Sequence, residues 1–170
     1  MLRYIAEQIV WQEVPGEVSL AYTFSGCQLG CKGEVSLAYT FSGCQLGCKG
    51  CHSADSWDAR QGQPLSTEHF ARRLQDYQGL ISCVLFLGGE WQEPELMPLL
   101  SLSKAAGLKR CLYTGLELSD VSGALRRELT FIKTGRWLPE RGGLQSPITN
   151  QQFIDLRTGQ CLNSLFQQPN

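Results

Sequence analysis

Short apolar runs closed by glycine alternate along the chain with stretches in which apolar residues recur at helical spacing. LISCVLFL, residues 80–87, is continuously apolar and stops at Gly88 and Gly89, the pattern of a strand buried on both faces of a parallel sheet. KRCLY at 109–113, closed by Thr114 and Gly115, and TFIK at 130–133, closed by Gly135, predict two more strands. Before the first of these runs, Phe70, Leu74 and Tyr77 follow Ser66 and Thr67, residue types that cap helices. Segments 94–106, with Gly107 as C-cap, and 120–129 predict two further helices. Strand and helix alternate, which implies right-handed βαβ crossovers in an α/β domain. The expected fold is a parallel sheet or partial (β/α) barrel with functional residues at the C-terminal ends of its strands. Residues 53–64 read as a polar connection and 136–150 as an irregular, mildly basic tail. FIDLRTGQCL predicts a closing hairpin around Thr158 and Gly159.

One feature interrupts this order. GEVSLAYTFSGCQLGCKG at 16–33 recurs without change at 33–50, a period of 17 residues. Solenoid repeats drift in sequence and need about three copies to bury a face, so a perfect pair is read as a recent tandem duplication or an error of cloning or assembly. Only the second copy continues to a third cysteine, Cys51; the first has Glu34 in that place. The chain is therefore expected to be a single domain, 1–170, carrying a duplicated segment at 17–33. The second copy should fill the strand slot at 35–41, because Cys51 lies three residues beyond Cys48. The first copy should then loop out or add as an edge strand, exposing Val18, Leu20, Tyr22, Phe24 and two thiols.

Composition narrows the function. With 170 residues the chain can bury a sizeable core without disulfide staples. Fifteen Lys and Arg against sixteen Asp and Glu leave a net charge of −1, which argues against nucleic-acid or anionic-membrane binding by bulk charge. Arg3 and Glu7 interrupt any signal core, and no apolar run approaches the ~20 residues of a membrane span. A reduced, cytoplasmic protein is expected. Five of the eight cysteines, Cys27, Cys31, Cys44, Cys48 and Cys51, cluster in one short stretch, and clustering points to metal.

In the second copy a strand runs into Ser42-Gly43-Cys44-Gln45-Leu46-Gly47-Cys48-Lys49-Gly50-Cys51, a C-x3-C-x2-C spacing. Glycines between the thiols let such a loop fold back and aim three sulfurs at one centre. A four-iron cluster held by three thiolates keeps one iron open to substrate. Zinc is the competing reading, with His52 as a fourth ligand, but adjacent residues diverge and no second C-x2-C closes a tetrahedral site. Ferredoxin spacings do not match. Gly88-Gly89-Glu90 alone would be a plain turn; at the same sheet end as the cysteine loop, its glycines admit a ligand to the backbone and the Glu90 carboxylate can receive an ammonium group. Cys83 and Cys111 read as small core hydrophobes and Cys161 as a terminal, exposed thiol. His69 reads as a surface or packing residue, Arg126, Arg127, Lys133, Arg136 and Arg141 as a modest basic group, and Tyr113 and Asn150 as residues at strand ends or loops that face the site.

These residues resemble the radical S-adenosylmethionine superfamily, and within it the activating proteins of the anaerobic ribonucleoside-triphosphate reductase. The resemblance rests on Pro15-Gly16, Ser42-Gly43-Cys44, Gly50, Trp57, Gly88-Gly89-Glu90, Tyr113-Thr114-Gly115, Lys133-Thr134-Gly135-Arg136 and the stretch 146–152. Trp91 stands where relatives often have proline, and Thr134 where an acidic residue commonly precedes the glycine. The resemblance implies a radical-type partial (β/α) barrel in which Cys44, Cys48 and Cys51 hold a [4Fe–4S] cluster. It implies S-adenosyl-L-methionine as second cofactor, steadied by Gly88, Gly89 and Glu90, with Tyr113 and Asn150 near the adenosine. One electron would cleave the sulfonium to methionine and a 5′-deoxyadenosyl radical, which takes a hydrogen from a reductase glycine. The implied partners are the glycyl-radical subunit of that reductase and a low-potential donor such as flavodoxin. The alternatives are an activase for another glycyl-radical enzyme, an enzyme acting on a small molecule, or a non-enzymatic iron–sulfur or zinc protein.

Overall fold

The computed structural model describes residues 1–10, 14 and 36–167. Its strands are β1 (Arg3–Val10), β2 (Ser36–Phe41), β3 (Gln63–Pro64), β4 (Cys83–Leu87), β5 (Lys109–Tyr113), β6 (Phe131–Thr134), β7 (Gln152–Asp155) and β8 (Gln160–Cys161). The helices are α1 (Thr67–Asp76), α2 (Glu93–Ala105) and α3 (Gly123–Glu128). The strands form one sheet in the order β3-β1-β2-β4-β5-β6-β7-β8. Its centre, β2-β4-β5-β6, is parallel, and β1, β3, β7 and β8 pair antiparallel at the flanks.

Cys83, Val84, Leu85 and Phe86 of β4 are each fully buried, because successive side chains enter different apolar clusters on the two faces. Val84 and Phe86 join Leu37, Tyr39, Leu112 and Ile132 against Phe70 and Leu74 of α1, Leu96, Leu99 and Leu100 of α2 and Leu125 of α3. Cys83 and Leu85 join Cys111, Phe131 and Phe153 on the other face, covered by Leu144, Leu162 and Phe166 from the tail. All three helices therefore lie on one face, and irregular chain closes the other. Cys83 and Cys111 are core residues, while Cys161 is exposed.

The sequence of the second copy, from Ser36 onward, fills the slot between β1 and β4. The first copy lies outside the described residues. β1 was not expected from the apolar pattern. Its charged Glu7 is accommodated by bonds from Arg73 Nε at 2.5 Å and the Tyr39 hydroxyl at 3.0 Å, with His69 Nε2 at 3.3 Å. The expected helix at 120–129 is shorter because Ser122 caps it, its hydroxyl accepting from the Leu125 amide at 3.0 Å, after a separate turn at Leu118–Asp120. The closing hairpin forms as β7 and β8. No helix among the described residues is long and apolar enough to cross a membrane.

Candidate functional site

Parallel strands deliver their carboxyl ends to one edge of the sheet, and backbone bonds tie the loops there into a row. The Gly88 amide donates to the Tyr113 carbonyl, Thr114 to Lys133 and Gly135 to Leu116, each at 2.9 Å. The cysteine loop leaves β2 beside them. Its start is anchored by the Gly43 amide, which donates to the Ser56 carbonyl at 2.7 Å, and by the buried Ser42 hydroxyl, which donates to the Gln61 carbonyl at 3.0 Å. Within the loop the Cys51 amide donates to the Cys48 carbonyl at 3.1 Å, and Cys51 Sγ accepts from the Ser53 amide at 3.4 Å. Cys44, Cys48 and Cys51 are all free thiols and half-buried.

Close approaches require glycine at two of these junctions. Gly88 has φ +84, and a Cβ there would stand 2.4 Å from the Trp91 ring. A Cβ on Gly115 would stand 2.3 Å from Leu46 Cδ1 in the cysteine loop. Trp91, which follows Gly88-Gly89-Glu90, thus lies over the glycine turn, and its indole nitrogen also approaches Gly43. On the far side, Arg136 Nη2 donates to the Leu46 carbonyl at 3.2 Å, and the Trp137 ring packs on His52 with centroids 4.7 Å apart. Sequence reading gave neither tryptophan a role at the loop. Their only advance signal was position, two residues after a glycine that follows a strand.

Glu90 is buried. The Thr114 hydroxyl donates to its Oε1 at 2.7 Å, while its Oε2 is buried with no partner. Burial pushes this carboxyl above its usual range. Burial likewise pushes the Cys44 thiol up, against a backbone hydrogen bond at Leu46 that lowers it. Burial lowers the Lys133 ammonium to about 8, opposed by Cys48 and Cys51. Asn150 reaches the same edge, its Nδ2 donating to the Arg136 carbonyl at 3.0 Å and its Oδ1 buried without a partner. The structure thus brings Cys44, Cys48, Cys51, Gly88, Gly89, Glu90, Tyr113 and Asn150 to one end of the sheet. Tyr113 is the last residue of β5, its ring against Phe153 with centroids 6.2 Å apart. Trp57 stays 40% exposed.

Among the described residues no three His, Cys, Asp or Glu side chains are grouped to enclose a single metal ion. A cluster makes a different demand, since each thiolate binds a separate iron and the sulfurs need not converge on one point. Three free thiols on a glycine-rich turn suit that demand. An α/β sheet carrying a three-thiol loop at its carboxyl edge defines an iron–sulfur class of protein. A family model described as a 4Fe-4S single cluster domain matches residues 33–134, more than half of the chain, and the chain belongs to that family. The match begins where the second copy begins. No curated protein and no solved structure matches the chain.

Proposed function

We propose that the protein is a radical S-adenosylmethionine activase that generates a glycyl radical on the anaerobic ribonucleoside-triphosphate reductase, its sheet curved as the partial (β/α) barrel of that superfamily. Cys44, Cys48 and Cys51 are the three ligands of the [4Fe–4S] cluster. When bound, the cluster supplies the electron that cleaves the sulfonium bond of S-adenosylmethionine. The observation that carries this reading is the Glu90 carboxylate at the same sheet end as Cys44, with one oxygen bonded by Thr114 and the other buried without a partner. An unpaired buried acceptor costs about 1–3 kcal/mol, and the ammonium of an amino-acid ligand at the open iron would satisfy it. Gly88 and Gly89 hold the backbone open beside it, and Tyr113 and Asn150 flank the place left for adenosine. Trp91 and Trp137 flank the loop on its two sides.

Anaerobic reconstitution followed by chemical reduction tests this. The expected result is methionine and 5′-deoxyadenosine from S-adenosylmethionine, and a glycyl doublet in the electron paramagnetic resonance spectrum once the reductase is added. 5′-Deoxyadenosine without the doublet would move the target to another glycyl-radical enzyme or a small molecule. A cluster-loaded protein that never cleaves S-adenosylmethionine would overturn the assignment as an enzyme.

A further inference from the structure

The turn after β6 carries two consecutive side chains against the cysteine loop. Gly135 makes that turn, with φ +95 and its amide donating to the Leu116 carbonyl. Arg136 then meets the loop at Leu46, between Cys44 and Cys48, and Trp137 meets it on both sides of Cys51. Trp137 Nε1 lies 3.7 Å from where a Cβ on Gly50 would stand, and the ring packs on His52. Because position 50 is glycine, no side chain separates the indole nitrogen from the segment that joins Cys48 to Cys51. An indole N–H donates and cannot accept, and this one is buried with no partner among the described residues. An unpaired buried donor costs about 1–3 kcal/mol. Neither close neighbour relieves it. The Cys48 carbonyl already accepts from the Cys51 amide at 3.1 Å, and Pro139 packs on the same glycine with its ring carbon Cγ, at 3.5 Å. The remaining acceptors that this part of the loop carries are sulfurs, on Cys48 two residues before Gly50 and on Cys51 one residue after it.

We propose that the Trp137 indole N–H donates a hydrogen bond to a sulfur of the bound cluster on its Cys51 side, as a positioning residue that favours the reduced state. This rests on the reading of Cys44, Cys48 and Cys51 as the ligands. Three thiolates give the cluster a net negative charge, and reduction adds another. A sulfur that gains negative charge accepts more strongly, and donors to cluster sulfurs are among the influences that set the reduction potential. The step is the uptake of one electron from an external one-electron reductant such as dithionite; no covalent bond forms or breaks, and the indole keeps its proton. The contact with His52 fixes the ring, so the donor is held in place before the electron arrives.

The test uses the full chain, anaerobically reconstituted with iron and sulfide and reduced without S-adenosylmethionine. Trp137→Phe keeps an aromatic ring, and 3-benzothienylalanine at the same position keeps the shape of the indole with sulfur in place of the N–H. After exchange into deuterium oxide, electron–nuclear double resonance of the reduced wild type should show a coupled deuteron that the benzothienyl variant lacks. In a redox titration the benzothienyl variant should lower the reduction equilibrium at least about threefold, a midpoint about 28 mV more negative at about 59 mV per tenfold. Loss of the cluster from that variant with an unchanged circular dichroism spectrum would also support the proposal, because the two side chains differ only at the N–H. A fully loaded benzothienyl variant with an unchanged or raised midpoint, or with the deuteron coupling still present, overturns it. Loss of the cluster together with the fold overturns it as well, because the N–H would then serve the chain itself. A shift confined to Trp137→Phe assigns the effect to ring volume, and one that appears only once S-adenosylmethionine is added assigns the N–H to that ligand; both overturn it. Full iron content in a Cys48→Ala/Cys51→Ala variant would overturn the ligand assignment itself, a result that the Trp137 variants cannot produce.

Discussion

At the amino ends of the central strands, Ser36, Cys83 and Lys109 stand in register, and the polar groups around them meet partners. The Lys109 amide donates to the Ser82 carbonyl at 2.9 Å. The Arg110 guanidinium donates to the carbonyls of Leu108 and Glu128, at 2.5 and 2.6 Å. Lys104 pairs with Glu128 at 3.1 Å and Arg157 with Asp155 at 2.7 Å. At the carboxyl ends Glu90 Oε2, Asn150 Oδ1 and Trp137 Nε1 are buried without partners; Arg126 Nε on α3 is the one such atom elsewhere among the described residues. The same sheet has one edge, the complete one, whose polar groups are paired, and one, the unfinished one, where three buried polar atoms are not. Each unpaired group costs stability.

The largest effects should come from breaking the unfinished edge at its thiols. Alanine at Cys44, Cys48 or Cys51 is expected to abolish the cluster, measured as iron and sulfide per chain after reconstitution. Alanine at both Cys27 and Cys31 should leave the iron content at the wild-type level. The reverse outcome would assign the ligands to the first copy. Glu90→Gln comes next. It keeps the shape and the Thr114 contact but removes the charge, so the cluster should assemble fully while the yield of 5′-deoxyadenosine falls at least about tenfold, in line with about 1.5–3 kcal/mol for a hydrogen bond to a charged group. A variant with normal turnover would remove Glu90 from the site.

Much of the complete edge and the sheet's centre was legible in the sequence. A strand buried on both faces needs an unbroken apolar run, and 80–87 supplied one; the Thr158-Gly159 hairpin follows from turn chemistry within a few residues. β1 was not legible, because Glu7 looks like a surface charge until Arg73, His69 and Tyr39 arrive from distant positions. At the unfinished edge, the thiol spacing and Gly88-Gly89-Glu90 carry local signatures. The contacts of Trp91 at the glycine turn and of Trp137 with His52 depend on which strands become neighbours. No local pattern encodes that.

A pair of glycines sharpens the comparison of edges. Gly107, at the complete edge, has φ +74 but nothing within 4 Å of a built Cβ, whereas Gly88 has a similar φ and the Trp91 ring at 2.4 Å. Gly107→Ala should therefore cost only the backbone term, about 1 kcal/mol. Gly88→Ala adds a clash and should cost about 3 kcal/mol. Urea titrations of both variants measure the difference, and equal costs would mean that Trp91 moves aside freely.

The smallest effect lies in the complete edge, at Asp155. Its carboxylate accepts from Arg157 Nη2 at 2.7 Å, Nε at 3.0 Å and the Arg157 amide at 2.9 Å. The Arg157 hydrogen bond holds this carboxyl below its usual value. A carboxyl whose folded pKa is depressed contributes stability above the unfolded value of about 3.9 and loses it as pH falls through the folded value. Because Arg157 is more than half exposed, the contribution should be only about 1 kcal/mol. Asp155→Asn should lower the melting temperature slightly at pH 7 and converge with wild type as pH falls through the folded value. A difference that persists undiminished in acid would mean that the side chain acts through its shape and its contact with the Arg157 amide, with the charge irrelevant, and the complete edge would then owe its closure to packing instead of ion pairing.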